Sequence, residues 1–221
     1  MIISTGRRYI FVHIPKTGGT SLATALEARA MRDDLLIGDT PKARRRQRRL
    51  AGLSPRGRLW KHSTLGDIDG IVGVPEMAGM LVFTLVRNPW DRVVSYYHWL
   101  REQGFDHPAV AASQAFEFAD FLQVSHVQES LRASPARHYL TDATGREQDA
   151  LYIRLEHFTR DAAPLFAHLG FEITLPRCNA SKRPADYRRC YDTASAETVA
   201  TLCAEDIARF RYRFERQDVE E

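Results

Sequence analysis

Two short stretches of the sequence carry residues whose types and spacing suit the binding of anions. The first, residues 13–21, reads His-Ile-Pro-Lys-Thr-Gly-Gly-Thr-Ser and is called the glycine turn below. Its two glycines let the backbone approach a ligand closely, Lys16 adds a mobile positive charge, and Thr20 and Ser21 add hydroxyl donors. A helix that begins here presents unpaired N–H groups to an anion. The pattern predicts an anion cradle, with an ordinary strand–turn–helix connection as the alternative.

The second stretch, residues 85–97, places an arginine where an apolar run ends and a serine about two helical turns later. In a doubly wound sheet, ligands collect at the carboxyl ends of the strands. Arg87 could bind a phosphate there with two parallel hydrogen bonds, and the Ser95 hydroxyl could complete the site. The alternative is that Arg87 pairs with Asp91 and only completes the start of a helix.

Alternating strands and helices must position these two stretches. Short runs rich in apolar and aromatic residues are typical of buried strands, and apolar residues at helical spacing predict helices. Asn88 and Pro89 suit a helix start, and Gly170 suits a helix end. The predicted strands are 7–14, 80–86 and 150–155, and the predicted helices are 21–30, one that begins after Asn88, 162–169 and 196–210. This order favours an α/β fold with a parallel sheet covered on both faces.

The size and composition of the chain fit one such domain over residues 1–221. With 221 residues, 44% hydrophobic and 10% aromatic, the chain can form a real core and does not have the composition of a disordered protein. A net charge of +3 does not by itself indicate a nucleic-acid binder. Three cysteines without a paired spacing and no apolar run of about 20 residues favour a cytoplasmic protein.

The positive charge is concentrated in one segment at about 40–60, which we expect to be a basic loop or insertion. Residues 42–61 contain nine basic residues and no acid, whereas the rest of the chain has 22 basic and 28 acidic residues, a net charge of −6. A solvated loop, attraction of a polyanionic acceptor and binding of nucleic acid are three open interpretations. The basic residues are Lys42, Arg44, Arg45, Arg46, Arg48, Arg49, Arg56, Arg58 and Lys61.

Together the two anion-binding stretches resemble the motifs of the 3′-phosphoadenylyl sulfate (PAPS)-dependent sulfotransferases. The resemblance is to bacterial-type members of the carbohydrate and uronyl 2-O-sulfotransferase-like branch. Residues 16–21 look like the 5′-phosphosulfate loop of that family, and residues 87–97 look like its 3′-phosphate motif. Their order and their separation of about 70 residues also fit. Weaker similarities at 152–156 and 206–212 extend the resemblance over nearly the whole chain.

The resemblance implies a P-loop NTPase-like three-layer sandwich with a central parallel sheet. PAPS would be the donor, adenosine 3′,5′-bisphosphate (PAP) the product, and no metal would take part. Lys16 would stabilise the charge that develops on the leaving phosphate, and Arg87 and Ser95 would hold the 3′-phosphate. The residues implied to hold the 5′-phosphate, through N–H groups and the threonine and serine hydroxyls, are Thr17, Gly18, Gly19, Thr20 and Ser21.

A hydroxyl acceptor, which the resemblance suggests is a carbohydrate, needs a base for its proton. His62 lies between the two motifs, where related enzymes carry a catalytic histidine, and an imidazole can act as a general base at neutral pH. His13 is the rival, although its place at the end of a buried strand favours a packing role. The polar loop Asn179–Arg183 resembles C-terminal loops that close over the nucleotide, with a solvated loop as the alternative.

Two other classes of function fit parts of the pattern. A nucleotide kinase or NTPase could use the same cradle, but the Walker A order is absent because Lys16 precedes the glycines. A non-catalytic protein could use the basic segment to bind acidic polymers. The acceptor and the oligomeric state cannot be read from the sequence.

Overall fold

Strands and helices alternate through the computed structural model, which describes residues 1–176 and 183–215. The strands are β1 (Ile2–Ser4), β2 (Tyr9–Val12), β3 (Leu35–Leu36), β4 (Leu81–Val86) and β5 (Leu151–Arg154). The α-helices are α1 (Gly19–Ala28), α2 (Pro41–Arg46), α3 (Val74–Met77), α4 (Pro89–Arg101), α5 (Pro108–Ala115), α6 (Phe118–Phe121), α7 (Ser125–Ala133), α8 (Ala136–Tyr139), α9 (Phe158–Asp161), α10 (Ala163–Leu169), α11 (Thr193–Leu202) and α12 (Ala204–Phe210). The 3-10 helices are Gln47–Leu50, Leu155–His157 and Tyr187–Cys190.

The five strands form one sheet in the order β3–β1–β2–β4–β5. The pairs β2–β4 and β4–β5 are parallel, whereas β1 is antiparallel to both β2 and β3. All strands except β1 therefore run in the same direction. The three predicted strands are confirmed as β2, β4 and β5, and their carboxyl ends meet at one edge of the sheet.

Both faces of the sheet are buried, as the predicted α/β architecture requires. Phe11 and Phe83 stack with ring centroids 5.4 Å apart, in an apolar cluster that includes residues of α1 and α10. The neighbouring residues Val12 and Val82 point to the opposite face and are also buried. This burial on both sides explains why the parallel strands read as continuous apolar runs in the sequence. The predicted mixed α/β fold with a central, mostly parallel sheet is confirmed.

The chain divides into two compact units. The first comprises Met1–Val86 and Ala136–Cys178, and the second comprises Arg87–Pro135 and Asn179–Glu221. The glycine turn, the basic segment and His62 belong to the first unit. The second unit contains Arg87 and Ser95 as well as helices α4, α5, α6, α7, α11 and α12.

The second unit is organised around α4. Asn88 caps this helix as predicted, because its side-chain oxygen accepts from the Trp90 N–H at 3.1 Å. The Trp90 indole in turn donates to the Ala196 carbonyl at 2.9 Å, which joins α4 to α11. The single helix predicted at 196–210 is wrong: the backbone at Cys203 leaves helical geometry (φ −111, ψ 22), so α11 ends there and α12 begins. The apolar residues at helical spacing continue past Cys203, so their pattern does not show that the helix ends there.

Part of the expected basic loop is helical. The Thr40 hydroxyl oxygen accepts from the Ala43 N–H at 3.1 Å and caps α2, and Pro41 occupies its first position. The 3-10 helix Gln47–Leu50 follows directly. Arginine has a high helix propensity, so a charge block of this composition folds once a cap and one buried residue, Ala43, hold it in place. Within the described ranges, the chain has no helix of the length and hydrophobicity needed to cross a membrane.

Candidate functional site

The glycine turn connects β2 to α1 through two residues in the left-handed region of the backbone. Lys16 has a φ of 65°, and Gly18, the N-cap of α1, has a φ of 87°. In the described chain no side chain caps this helix, and the Gly18 carbonyl accepts from Ser21 at 3.0 Å and from Leu22 at 3.4 Å. The amides of Gly19 and Thr20 precede any intrahelical acceptor, so they suit an anion, whereas the Ser21 N–H that was predicted to join them already donates to the Gly18 carbonyl.

Both glycines of the turn are required by close contacts. A Cβ added to Gly19 would overlap the ring of His13, and a Cβ added to Gly18 would lie 3.0 Å from a methyl group of Leu155. Gly18 also has a positive φ, which other residues adopt only with strain. The glycines are therefore needed at these two positions because the neighbouring side chains leave no room for a Cβ.

The hydroxyl groups of the turn have different surroundings. Thr17 is buried, and its hydroxyl donates to the Ile14 carbonyl at 2.9 Å. This hydroxyl therefore closes the turn and does not offer its proton to a phosphate, which differs from the prediction made from the resemblance. Thr17 can still offer its N–H group. Thr20 lines a small cavity together with Asp39 and Lys61, and Ser21 is partly exposed.

His62 lies against the strand end that leads into the glycine turn. Its Nδ1 is 2.7 Å from the carbonyl oxygen of His13. A carbonyl can only accept, so Nδ1 carries the proton and Nε2 carries the lone pair. The two imidazole rings meet edge to face with centroids 4.7 Å apart, and Trp60 contacts the His62 ring in the same way at 5.0 Å.

Burial keeps both histidines neutral. Removal of the charged form from water is the main cause that lowers the pKa of His62 to about 4, and the nearby charge of Lys61 adds to it. The hydrogen bond to the His13 carbonyl acts in the opposite direction. Burial likewise lowers the pKa of His13 well below its ordinary value. At neutral pH, Nε2 of His62 is therefore unprotonated, as a general base must be, and the lowered pKa makes it a weaker base than an exposed imidazole.

In the second unit, Arg87 is held by an acid. Its Nε and Nη2 donate to Oδ2 of Asp91 at 2.8 and 2.7 Å, and Nη1 of Arg183 donates to the other carboxylate oxygen at 2.5 Å. The pairing of Arg87 with Asp91 that we considered as an alternative is therefore present. It does not by itself exclude a phosphate, because a guanidinium carries five N–H groups and can donate to more than one acceptor. Ser95 is buried on α4, two turns from the start of the helix.

One feature of this cluster was missed at the sequence level. The four-residue spacing of Arg87 and Asp91 indicated an ion pair, but no local signal joined Asp91 to Arg183, 92 residues away. Of the loop Asn179–Arg183, Arg183 is described, and residues 179–182 lie outside the described ranges.

These observations define a mixed α/β protein in which a glycine turn leads into the N-terminus of a helix and a neutral histidine lies beside that turn. In the described part of the chain, no three His, Cys, Asp or Glu side chains are grouped so that they could hold a metal ion. No protein-family model matches the chain, and no curated protein matches it. Among solved structures, it is similar to the mouse sulfotransferase SULT7A1 complexed with PAP, at 17% identity, over 93% of this chain and 67% of that one, with a TM-score of 0.36.

Proposed function

We propose that the chain is a PAPS-dependent sulfotransferase that acts on a hydroxyl acceptor, specifically a carbohydrate, in the cytoplasm. One observation carries the proposal: the hydrogen bond from Nδ1 of His62 to the His13 carbonyl, 2.7 Å long, leaves Nε2 of His62 as a base in the unit that contains the glycine turn. A base next to an anion cradle is what a transfer from an anionic donor to a neutral hydroxyl requires.

The reaction balances with this set of residues. The acceptor oxygen attacks sulfur, an S–O bond to the acceptor forms, and the S–O bond to the 5′-phosphate of the donor breaks. The hydroxyl proton goes to Nε2 of His62, and the bond electrons stay on the phosphate oxygen of PAP. Lys16 and the amides that begin α1 stabilise that developing charge.

The donor fits the residues that are present. The glycine turn offers backbone N–H groups, and its glycines cannot be replaced without overlap with His13 or close contact with Leu155. A 5′-phosphosulfate is an anion of the kind that such a turn binds. In the other unit, Arg87 and Ser95 would hold the 3′-phosphate, with Asp91 fixing the orientation of the guanidinium.

Calorimetric titration with PAP tests the proposal. The wild-type protein should bind PAP without a divalent cation, and Lys16→Ala should weaken this binding strongly. Arg101→Ala is a matched control, because Arg101 is an exposed residue at the end of α4. A folded wild-type protein that does not bind PAP would contradict the proposal. If PAP binds, transfer of the labelled sulfuryl group from PAPS to a panel of acidic and neutral glycans would identify the acceptor.

A further inference from the structure

His62 lies in a part of the chain without regular secondary structure. Residues 51–73, all of which the structure describes, contain no helix or strand. The position of the His62 imidazole is therefore not set by helix or sheet geometry and depends on tertiary contacts. Residues 60–63, which carry the imidazole, are called the histidine turn below. The contacts that close this turn determine where Nε2 of His62 lies.

The side chain of Ser63 closes the histidine turn. Its hydroxyl oxygen accepts from the Trp60 N–H at 2.9 Å. The hydroxyl proton is shared between the Arg58 carbonyl at 2.8 Å and the Trp60 carbonyl at 2.9 Å. The Ser63 N–H also donates to the Trp60 carbonyl, at 3.1 Å. Only a group that both donates and accepts can make this set of contacts, and a hydroxyl is such a group.

Two aromatic rings hold the His62 imidazole between them. The His13 ring contacts it edge to face with centroids 4.7 Å apart, and the Trp60 ring does so at 5.0 Å. His13 directly follows β2, so the sheet fixes this side of the imidazole. Trp60 is 44% exposed and lies on the irregular turn itself, where its N–H is bound by the Ser63 hydroxyl. Ser63 therefore fixes the side that the sheet does not reach.

Ser63 acts on the site only through the turn. Its side chain is 0% exposed, so its hydroxyl is not accessible to a donor or an acceptor. We infer that Ser63 is a positioning residue, whose hydroxyl holds the turn so that Nδ1 of His62 meets the His13 carbonyl and Nε2 is left as the base. The role of the base rests on the proposed function, whereas the placement of the ring does not.

The loop around the histidine turn is closed by backbone bonds that do not involve Ser63. The Gly57 N–H donates to the Asp67 carbonyl at 3.0 Å, and the Leu65 N–H donates to the Tyr139 carbonyl at 3.0 Å. Ser63→Ala leaves these bonds in place, so the variant should fold. The backbone groups that the hydroxyl satisfied would then turn to water, since a buried polar group without a partner is costly. The turn should open, and the imidazole should leave its carbonyl.

Opening of the turn should also change the acidity of His62. Burial is the main cause that lowers its pKa, to about 4, and the hydrogen bond to the His13 carbonyl opposes it. Of the charged groups that face the ring, Lys61 and the Met1 amino group lower the pKa further. Asp39, which lies after β3 and pairs with Lys61 at 2.6 Å, raises it. Exposure to water removes the main cause, so the pKa should rise toward ~6.5.

Nitrogen-15 NMR of the histidine rings tests the inference without any ligand. At pH 7, His62 of the wild type should be the Nδ1–H tautomer, and both tautomers should be populated in Ser63→Ala. Ser63→Thr keeps the hydroxyl and should keep the Nδ1–H tautomer. Ser113→Ala is a matched control, because Ser113 is also 0% exposed and donates to the Val110 carbonyl at 2.8 Å in the second unit. The signal of His62 is assigned by its loss in His62→Gln.

Kinetic measurements test the consequence for the reaction. Ser63→Ala should lower kcat at pH 7 by about 30-fold and leave the affinity for PAP unchanged, because a small displacement of a catalytic group is costly. Its kcat/KM should also decrease about 20-fold between pH 7 and pH 5, because an imidazole with a pKa near ~6.5 is mostly protonated at pH 5. Ser113→Ala should behave as the wild type in both measurements.

The possible results keep the inference and the proposed function distinct. Retention of the Nδ1–H tautomer in Ser63→Ala would overturn the inference, and a wild-type His62 in the Nε2–H form would do so without any variant. If PAP binds, wild-type kinetics in Ser63→Ala, or an equal loss of kcat in Ser113→Ala, would also overturn it. If the wild type binds no PAP, the proposed function fails, while a change of tautomer in Ser63→Ala still supports the placement of the ring by Ser63.

Discussion

Nδ1 of His62 donates a hydrogen bond of 2.7 Å to the backbone carbonyl of His13. The two residues are 49 positions apart in the chain, yet this bond fixes which nitrogen of His62 can act as a base. Since the acceptor is a backbone atom, the tautomer of His62 depends on the path of the chain and not on the identity of residue 13. The ring of His13 has a separate role, because it fills the space beside Gly19.

The pH dependence of the reaction should reflect the buried state of His62. Because its pKa is lowered to about 4, kcat/KM should be nearly the same at pH 7 and pH 5 and should decrease only near pH 4. If the base were an exposed histidine with a pKa near ~6.5, it would be mostly protonated at pH 5 and the enzyme would already have lost most of its activity there. Initial rates at constant ionic strength check this. Between pH 5 and pH 7, His62→Gln should reduce kcat by a factor of about 100 or more and keep PAP affinity.

The folded fraction must be measured in the same experiment. A histidine whose folded pKa is lowered binds fewer protons in the native state than in the unfolded state, so stability decreases as the pH falls from about 6.5 to 4. Circular dichroism at each pH separates this loss of fold from protonation of the base. A fully folded protein that loses its activity between pH 7 and pH 5 would contradict the assignment of His62.

The sequence predicted the elements whose signals are local. The strands around Phe11, Phe83 and Ile153 were predicted because buried parallel strands are apolar on both faces. Asn88 and Gly170 marked a helix start and a helix end through the chemistry of their own positions. The strands β1 and β3 were missed, since three and two residues are too few for a periodic pattern.

The residues of the candidate site could be chosen from the sequence, but the side chains that contact them could not. The glycines, Lys16 and Arg87 indicated anion binding from their own chemistry. The contacts that define their state are long-range: Arg183 reaches the carboxylate of Asp91, and Leu155 packs on Gly18. Such contacts depend on tertiary packing, which neither propensity nor periodicity records.

Gly19 and His13 should be coupled in stability. Gly19→Ala places a methyl group against the imidazole and should lower the free energy of unfolding by about 2 kcal/mol. In a His13→Ala background the same change should be neutral or slightly stabilising, because Gly19 is helical and its φ is not positive. Urea denaturation of the four proteins gives the coupling energy. Gly18→Ala is the control, since its positive φ makes it costly in both backgrounds. Additive effects of Gly19→Ala and His13→Ala would contradict the contact.

Lys16 should show a conflict between function and stability. Its φ of 65° costs about 1 kcal/mol for a residue with a side chain, and glycine adopts this geometry without that cost. We therefore expect Lys16→Gly to be more stable than Lys16→Ala by about 1 kcal/mol, whereas both should lose PAP affinity to the same extent. Thermal unfolding and calorimetry on the two variants measure the two effects. If Lys16→Gly were the less stable variant, the strain at this position would be refuted.

The two stretches that we propose to bind anions should respond to different phosphates of the same nucleotide. Adenosine 5′-monophosphate lacks the 3′-phosphate of PAP, so a comparison of the two ligands isolates the contribution of that group. Arg87→Ala should weaken PAP binding by about 100-fold and leave the affinity for the monophosphate unchanged, since a charge-assisted pair of hydrogen bonds is lost. Lys16→Ala should weaken the binding of both ligands.

Ser95→Ala should follow the pattern of Arg87→Ala with a smaller effect, about tenfold, because a hydroxyl contributes one neutral donor. Arg92→Ala is the control on the same helix: Arg92 lies 3.7 Å from Asp206 and is placed in an ion pair of the second unit. It should lower stability without discriminating between the two nucleotides. If Arg87→Ala weakened the binding of PAP and of the monophosphate equally, Arg87 would not contact the 3′-phosphate. Its role would then be the ion pair with Asp91 at the start of α4.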